Sequence, residues 1–195
     1  KAGLKTVEMI IKESIKKKIK FLTLYAFSTE NWKRPSSEKI FLFNLLETYL
    51  TEKLDELNQN NIKLKVIGRK IFSQKLNKLL NYAESKTKNN KTIQINLALN
   101  YGSKAEIVYA LNRLKKTKGK ITESKVNQNL YTYKIPDPDM LIRTGSTSRL
   151  SNFLLWQLAY SEIFFEKKLW PDFNSNDYSK IINKFKKIKR NFGNI

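Results

Sequence analysis

A chain of 195 residues with 41% apolar and 12% aromatic content has the length and composition of one globular domain with a substantial core, and is too apolar to be disordered. A net charge of +21 directs it toward anionic partners such as phosphates, nucleic acid or acidic lipid. The absence of Cys and His excludes a disulfide scaffold, thiolate metal sites and imidazole chemistry, and no apolar run approaches the roughly 20 residues of a membrane span, so a cytoplasmic protein is expected.

Residues 2–18 set Leu4, Val7, Ile11 and Ile15 at helical spacing between polar positions, which predicts an amphipathic helix. The apolar run 21–27 is rich in β-formers and reads as a buried strand. A polar loop, Ser28-Thr29-Glu30-Asn31-Trp32-Lys33-Arg34-Pro35, then leads into a long helix from about Ser37 to Asn58. Its C-terminal half is cleanly amphipathic through Leu46, Tyr49, Leu50, Leu54 and Leu57. Its N-terminal half carries Ile40, Phe41, Leu42, Phe43, Leu45 and Leu46 around most of the circumference. That half must be covered both by the core and by a second apolar surface, either a partner chain or a ligand.

Ile62–Ile67 alternates apolar and basic residues and ends at Gly68, a strand signal, and a helix over 73–86 follows. The next strand, 92–99, closes at Asn100-Tyr101-Gly102, and residues 104–116 are helical. A basic loop spans 115–120, a short helix 122–130, and Pro136 and Pro138 precede the strand Met140-Leu141-Ile142. Residues 152–165 are apolar and aromatic and fit helix or strand equally; beyond Pro171 a basic helix is predicted over 178–189. Helices and strands alternate with connections of crossover length. The expected fold is therefore α/β, a mostly parallel sheet flanked by helices, in a single domain over residues 1–195.

Of the 38 basic residues 32 are Lys, and Asn and Ile are also abundant at 20 and 19, so most of the positive charge reads as compositional drift. The six arginines, Arg34, Arg69, Arg113, Arg143, Arg149 and Arg190, are the more informative, because a guanidinium offers a planar fork for phosphate that Lys cannot copy. In an open parallel sheet, ligands bind beyond the carboxyl ends of the strands. Three post-strand loops qualify: 28–35, 100–104, and Arg143-Thr144-Gly145-Ser146-Thr147-Ser148-Arg149-Leu150-Ser151-Asn152. In the third, two arginines bracket a Gly and hydroxyl-rich turn suited to a diphosphate; the same residues also make an ordinary turn, and composition leaves both readings open. Glu30 and Glu162 are the carboxylates nearest these loops, candidates for Mg²⁺ or simply capping residues, and Trp32, Trp156 and Trp170 are most simply packing residues.

Ser28-Thr29-Glu30-Asn31-Trp32-Lys33-Arg34-Pro35 resembles the Ser-x-Glu-Asn-Trp-x-Arg-Pro signature of cis-prenyltransferases, specifically the bacterial undecaprenyl diphosphate synthase family. Arg143-Thr144-Gly145 through Arg149-Leu150-Ser151-Asn152-Phe153-Leu154-Leu155-Trp156-Gln157, then Ala159-Tyr160-Ser161-Glu162 and Leu169-Trp170-Pro171-Asp172-Phe173, is similar to its C-terminal signature, and Asn100-Tyr101-Gly102 to a third. The likeness runs in order from Lys1-Ala2-Gly3 to Phe192-Gly193. It implies condensation of isopentenyl diphosphate onto an allylic diphosphate, farnesyl diphosphate, with Mg²⁺ assisting, to give a long-chain polyprenyl diphosphate lipid carrier. By the same likeness Arg143, Arg149 and Ser151 would hold isopentenyl diphosphate and Glu162 would support the metal. Ser28, Asn31 and Arg34 would line the reacting centre, Asn31 as the catalytic candidate, with Trp32 beside it. An apolar tunnel would take the helix around 40–46, two copies would form a homodimer, and the protein would sit peripherally at the inner face of the membrane without binding nucleic acid.

The chain departs from the family pattern in several places. The Asp-Gly-Asn-Gly-Arg-Trp segment, which carries the catalytic aspartate on the first strand, does not occur, and an upstream piece before Lys1 is expected to supply it and to be needed for activity. Gly145-Ser146-Thr147-Ser148-Arg149 replaces Gly-Gly-Glu-x-Arg, with Ser148 where many members have His. Ser103-Lys104 replaces Gly-Arg, Arg69 stands where bacterial members often have Asp, and Asn191-Phe192-Gly193 replaces Arg-x-Gly. These departures keep a second reading open, a non-catalytic or degenerate subunit of the family. A nucleic-acid-binding domain rests on the charge alone, with no accompanying RNA-binding signature.

Overall fold

The computed structural model describes residues 2–115 and 117–191. In chain order the elements are helix α1 (Ala2–Lys16), strand β1 (Phe21–Ser28), a 3₁₀ turn (Thr29–Lys33), α2 (Ser36–Gln59), β2 (Ile62–Ile67), α3 (Gln74–Thr87), β3 (Ile93–Tyr101), α4 (Ser103–Leu114), α5 (Glu123–Asn129), β4 (Met140–Arg143), β5 (Glu162–Phe165), a 3₁₀ turn (Trp170–Asp172) and α6 (Ser175–Phe185). They fall into two compact units: residues 18–135, and α1 together with the chain from residue 136 onward.

In the unit 18–135 the three apolar strands pair in the order β1-β3-β2, all parallel. The middle strand is buried nearly throughout, as a two-sided parallel strand must be, with Ile93, Ile95, Ala98, Leu99 and Tyr101 each at most 3% exposed. One of its polar interior residues, Asn96, donates to Thr23 Oγ1 at 3.1 Å and accepts from Gln94 at 2.8 Å, which offsets its desolvation. Leu50, Leu54 and Leu57 form the core seam of α2, and Leu76, Leu80 and Ala83 that of α3. Ser73 caps α3 by accepting the Leu76 N–H, and Thr87, in its last turn, accepts the Leu64 N–H of β2 at 3.0 Å. Gly68 ends β2 at φ +115°, where a Cβ would lie 2.1 Å from the Leu99 carbonyl oxygen; glycine alone lets β2 leave the sheet this close to β3.

In the other unit β4 and β5 pair in parallel, Met140 opposite Glu162 and Arg143 opposite Phe165. The first helix is tied to chain far downstream. Trp170 Nε1 donates to the Gly3 carbonyl at 3.0 Å, and the Ser14 and Tyr178 hydroxyls share a 2.8 Å hydrogen bond. Asn174 caps α6 by accepting the Asn176 and Asp177 N–H groups, while Asp177 reaches back to the Asn174 N–H and binds Lys168. That lysine, donating a hydrogen bond, holds the Asp177 carboxyl below the usual carboxylate range.

Every predicted helix and strand is present, and the sheets are parallel as expected. The ambiguous stretch 152–165 is neither one helix nor one strand. Ser151, Asn152 and Leu154 all adopt left-handed backbone, at φ 50°, 61° and 46°, which breaks either repeat before β5 begins at Glu162. The last helix starts at Ser175, earlier than its apolar periodicity indicated, because the Asn174–Asp177 cap sets its origin. Ile40 and Phe41 at the start of α2 are 59% and 58% exposed, so the second apolar cover that the pattern calls for is not supplied by the described residues. No helix among those residues is long and apolar enough to cross a membrane. Lys1, Lys116, Phe192 and Gly193, which figured in the sequence readings, lie outside them.

Candidate functional site

The candidate residues divide between the units: Ser28, Asn31, Trp32 and Arg34 in 18–135, and Arg143, Arg149, Ser151 and Glu162 in the other.

In the unit 18–135, all three strands deliver their carboxyl ends to one open cleft of about 410 Å³ lined by Thr29, Trp32, Arg69, Ile71, Asn100 and Ala105. Thr29 follows β1, Arg69 follows β2, Asn100 lies in the last turn of β3, and Ala105 is in the first turn of α4, whose N-terminal end carries partial positive charge. Asn100 is the joint of this cleft. At φ 48° its Oδ1 accepts the Trp32 indole N–H at 2.7 Å and its Nδ2 donates to the Arg69 carbonyl at 2.9 Å, so one amide ties the loop after β1 to the loop after β2. The sequence placed Asn100 at a strand end, in a candidate post-strand loop and in the motif Asn100-Tyr101-Gly102, but did not assign it this tie between loops; an Asn at a strand end is a residue type that tolerates left-handed backbone, and that was the available signal.

Trp32 is held by more than its hydrogen bond. Its ring lies 5.4 Å from Phe27, 5.7 Å from Phe43 and 6.3 Å from Phe72, with the Lys39 ammonium 5.8 Å away. The indole thus forms an apolar wall packed with three phenylalanine rings. Asn31 spends its amide oxygen on the Ser28 N–H at 3.0 Å, which fixes the amide and leaves its N–H donors to be offered outward. Arg34 pairs with Glu38 one helical turn on, at 2.5 Å, with both side chains 45% exposed, so much of its charge is already matched.

Behind the cleft, Glu106 is fully buried, accepting the Tyr101 O–H at 2.6 Å and the Tyr131 N–H at 2.8 Å. Burial and the adjoining Glu106 carboxylate push the Tyr101 hydroxyl well above its ordinary value. The Tyr131 hydroxyl is pushed up to about 12, first by burial, while the positive charge of Arg69 pulls it the other way. Sequence reading passed over Glu106, although it shares a helical face with Ala110 and Leu114, both buried, and an acid on an apolar stripe is a signal of a satisfied interior network.

In the other unit, Arg143 ends β4, and its Nε donates to Thr147 Oγ1 at 2.9 Å across the turn, so the loop folds back on its own arginine. Gly145, at φ +93°, donates to the Lys168 carbonyl at 2.8 Å and Ser146 Oγ to that of Lys167 at 2.8 Å, which anchors the turn to the segment after β5. Ser146 is therefore structural. Arg149 is exposed, and no described carboxylate pairs with either arginine. Ser151, two residues after it, sits in left-handed backbone. Glu162 opens β5, its N–H donating to the Asp139 carbonyl at 3.0 Å and its side chain half-buried. Among the described residues no three or more acids gather as a metal cluster, and Glu162 is the carboxylate the sequence nominated for a cation. Such a sparse oxygen donor set fits Mg²⁺, which keeps several waters and leans on substrate phosphates.

Comparison with known proteins gives concordant results. The family model described as "Putative undecaprenyl diphosphate synthase" matches residues 1–193. The chain is 45% identical over 195 residues to the isoprenyl transferase of Rickettsia typhi, covering 99% of this chain and 86% of the relative. To that of Clostridium perfringens it is 43% identical over 203 residues, covering 100% and 80%. Among solved structures, a probable undecaprenyl diphosphate synthase from Campylobacter jejuni superposes with a TM-score of 0.90 at 38% identity, covering 98% of this chain and 92% of that one. Lavandulyl diphosphate synthase from Lavandula x intermedia, in complex with dimethylallyl diphosphate, does so with a TM-score of 0.92 at 33% identity, covering 98% and 86%.

Proposed function

From the chain's membership in the undecaprenyl diphosphate synthase family of prenyltransferases, we infer that it condenses isopentenyl diphosphate onto farnesyl diphosphate and repeats the step to build a long-chain polyprenyl diphosphate lipid carrier. The chain is a cis-prenyltransferase; the identity of its substrates is the proposal.

In each step the bond between the allylic carbon and the diphosphate oxygen breaks, the terminal alkene of isopentenyl diphosphate attacks that carbon, and a proton leaves to form the cis double bond. The charge to be stabilised gathers on the departing diphosphate. Arg143 and Arg149 bind the isopentenyl diphosphate, the first with its fork oriented by Thr147 and the second offering both edges of the guanidinium. Ser151 adds a hydroxyl from left-handed backbone. Asn31, its oxygen committed to Ser28, presents N–H donors at the reacting centre, and Trp32 excludes water with its indole face. Arg34, shared with Glu38, supplies a tempered charge. Glu162 would be the residue of this chain to hold Mg²⁺, which would supply positive charge against the departing diphosphate.

The observation that carries the reading is the loop 143–149: two arginines without carboxylate partners among the described residues, set on either side of a turn anchored through Gly145 and Ser146. Two finer features belong to the same proposal. Tyr160, Ile163 and Phe165 are exposed apolar residues suited to a homodimer contact, and the lysine excess suits peripheral attachment to anionic membrane at its cytoplasmic face. The test is incorporation of labelled isopentenyl diphosphate by the full-length protein, including any residues that precede Lys1, with Mg²⁺ and farnesyl diphosphate. A butanol-extractable long-chain product is expected; no incorporation refutes the proposal.

A further inference from the structure

Arg69 has no role in the functional reading above, yet among the described residues it is the only cationic side chain lining the cleft at the carboxyl ends of β1, β2 and β3. Its backbone is fixed twice over by Asn100, through its N–H to the Asn100 carbonyl at 3.4 Å and its own carbonyl to Asn100 Nδ2 at 2.9 Å. Gly68 sets the direction in which the chain leaves β2, with no room for any larger residue. The backbone of Arg69 is rigid while its side chain is exposed and, unlike Arg34 with Glu38, pairs with no carboxylate among the described residues. Glu106, the carboxylate that acts on Tyr131 together with Arg69, is fully buried and already accepts two hydrogen bonds. The cleft thus holds one unmatched guanidinium beside a hydroxyl, Thr29, and the apolar walls of Trp32 and Ile71. That is the pairing an isoprenoid diphosphate presents: a dense anion joined to a hydrocarbon.

We propose that Arg69 is a further substrate-binding residue of this prenyltransferase, gripping the diphosphate of an isoprenoid substrate seated in the cleft between Thr29, Trp32 and Asn100. The proposal rests on the prenyltransferase reading, and its partner is defined by chemistry: a diphosphate ester carried by either the allylic or the isopentenyl substrate.

The experiment uses the full-length protein and inorganic diphosphate without metal, followed by titration calorimetry, for the wild type, Arg69→Gln and Arg69→Lys. Loss of one charge-assisted, fork-shaped contact predicts about tenfold weaker binding for Arg69→Gln and an intermediate loss for Arg69→Lys. Because the side chain is exposed, thermal melts of the three proteins are expected to coincide. Steady-state kinetics then assigns the source: a raised KM confined to farnesyl diphosphate places the allylic substrate on Arg69, and one confined to isopentenyl diphosphate places the other. Binding by Arg69→Gln within twofold of wild type overturns the proposal, as does condensation with both KM values unmoved; either result leaves the prenyltransferase function standing. A wild type that fails to condense, while Arg69→Gln still loses diphosphate affinity, refutes the function and upholds the anion site.

Discussion

Replacing Gly68 with alanine tests how β2 is joined to the cleft. The new Cβ would stand 2.1 Å from the Leu99 carbonyl oxygen and 3.1 Å from that of Asn100, so the end of β2 must retreat by roughly 1 Å to restore ordinary contact. A left-handed φ of +115° adds about 1–2 kcal/mol for a residue with a Cβ. The retreat stretches two hydrogen bonds between Arg69 and Asn100, each contributing about 0.5–1.5 kcal/mol. Reduced freedom of the unfolded chain returns about 0.4–1 kcal/mol, leaving a net loss of about 2–4 kcal/mol. Gly119 supplies the control. It too has left-handed backbone, at φ +88°, but its Cβ would meet only the flexible Lys125 ammonium at 3.5 Å, so Gly119→Ala carries the dihedral cost and little else. Urea unfolding followed by circular dichroism measures both. With a denaturant slope of about 2–3 kcal/mol/M, Gly68→Ala is expected to lower the midpoint by roughly 1 M and Gly119→Ala by less than half as much. Equal shifts would refute the steric argument and reduce Gly68 to an ordinary turn glycine.

Arg149→Lys is expected to raise the KM for isopentenyl diphosphate about tenfold or more while the melting temperature is unchanged, since a fork becomes a point charge on an exposed side chain; unaltered kinetics would remove Arg149 from the phosphate site. Tyr101 resists ionisation in the folded state, so the unfolded chain binds fewer protons above pH 10 and stability falls as pH rises from there; Tyr101→Phe should be less stable at neutral pH by about 1–3 kcal/mol and show a shallower alkaline decline in urea melts. Asp177 is depressed by Lys168, so its contribution is present above the ordinary carboxylate range and disappears as pH falls through its lowered value; Asp177→Asn should flatten the acid side of the stability curve without altering the alkaline side. Leu80→Ala, at a fully buried position of α3, should cost about 2–5 kcal/mol by thermal or urea unfolding.

Periodicity made the elements legible because most of them bury one well-defined face: Leu50, Leu54 and Leu57 announce the seam of α2, and the dense apolar run of β3 announces a strand covered on both sides. It failed at 151–154, where consecutive left-handed residues that are not glycine are held by tertiary surroundings and leave no propensity signal. The candidate residues were found by their type and order, but what they do in the fold was not. Arg34 read as a phosphate fork and turns out to share its charge with Glu38; Ser146 read as a phosphate hydroxyl and serves as an anchor for the turn. Apart from the nearby Tyr101–Glu106 pair, Asn100 and Glu106 hold the cleft together through contacts whose partners lie 25 to 68 positions away, and no local pattern encodes such pairings.

The ties between α1 and its distant partners bear on the order in which the molecule is made. Gly3 and Ser14 leave the ribosome early, but the residues they bind, Trp170 and Tyr178, follow 167 and 164 positions later. The stretch 18–135 is continuous and has all three strands of its sheet in hand long before synthesis ends. Closing so long an interval adds little entropic cost over a shorter one, yet it imposes a wait. During that wait α1, whose buried residues include Ile10 and Ile11, lacks the downstream partners it meets in the fold. Translation that stalls before Tyr178 therefore yields a chain whose middle can fold and whose first helix remains a chaperone substrate, vulnerable to aggregation and proteolysis.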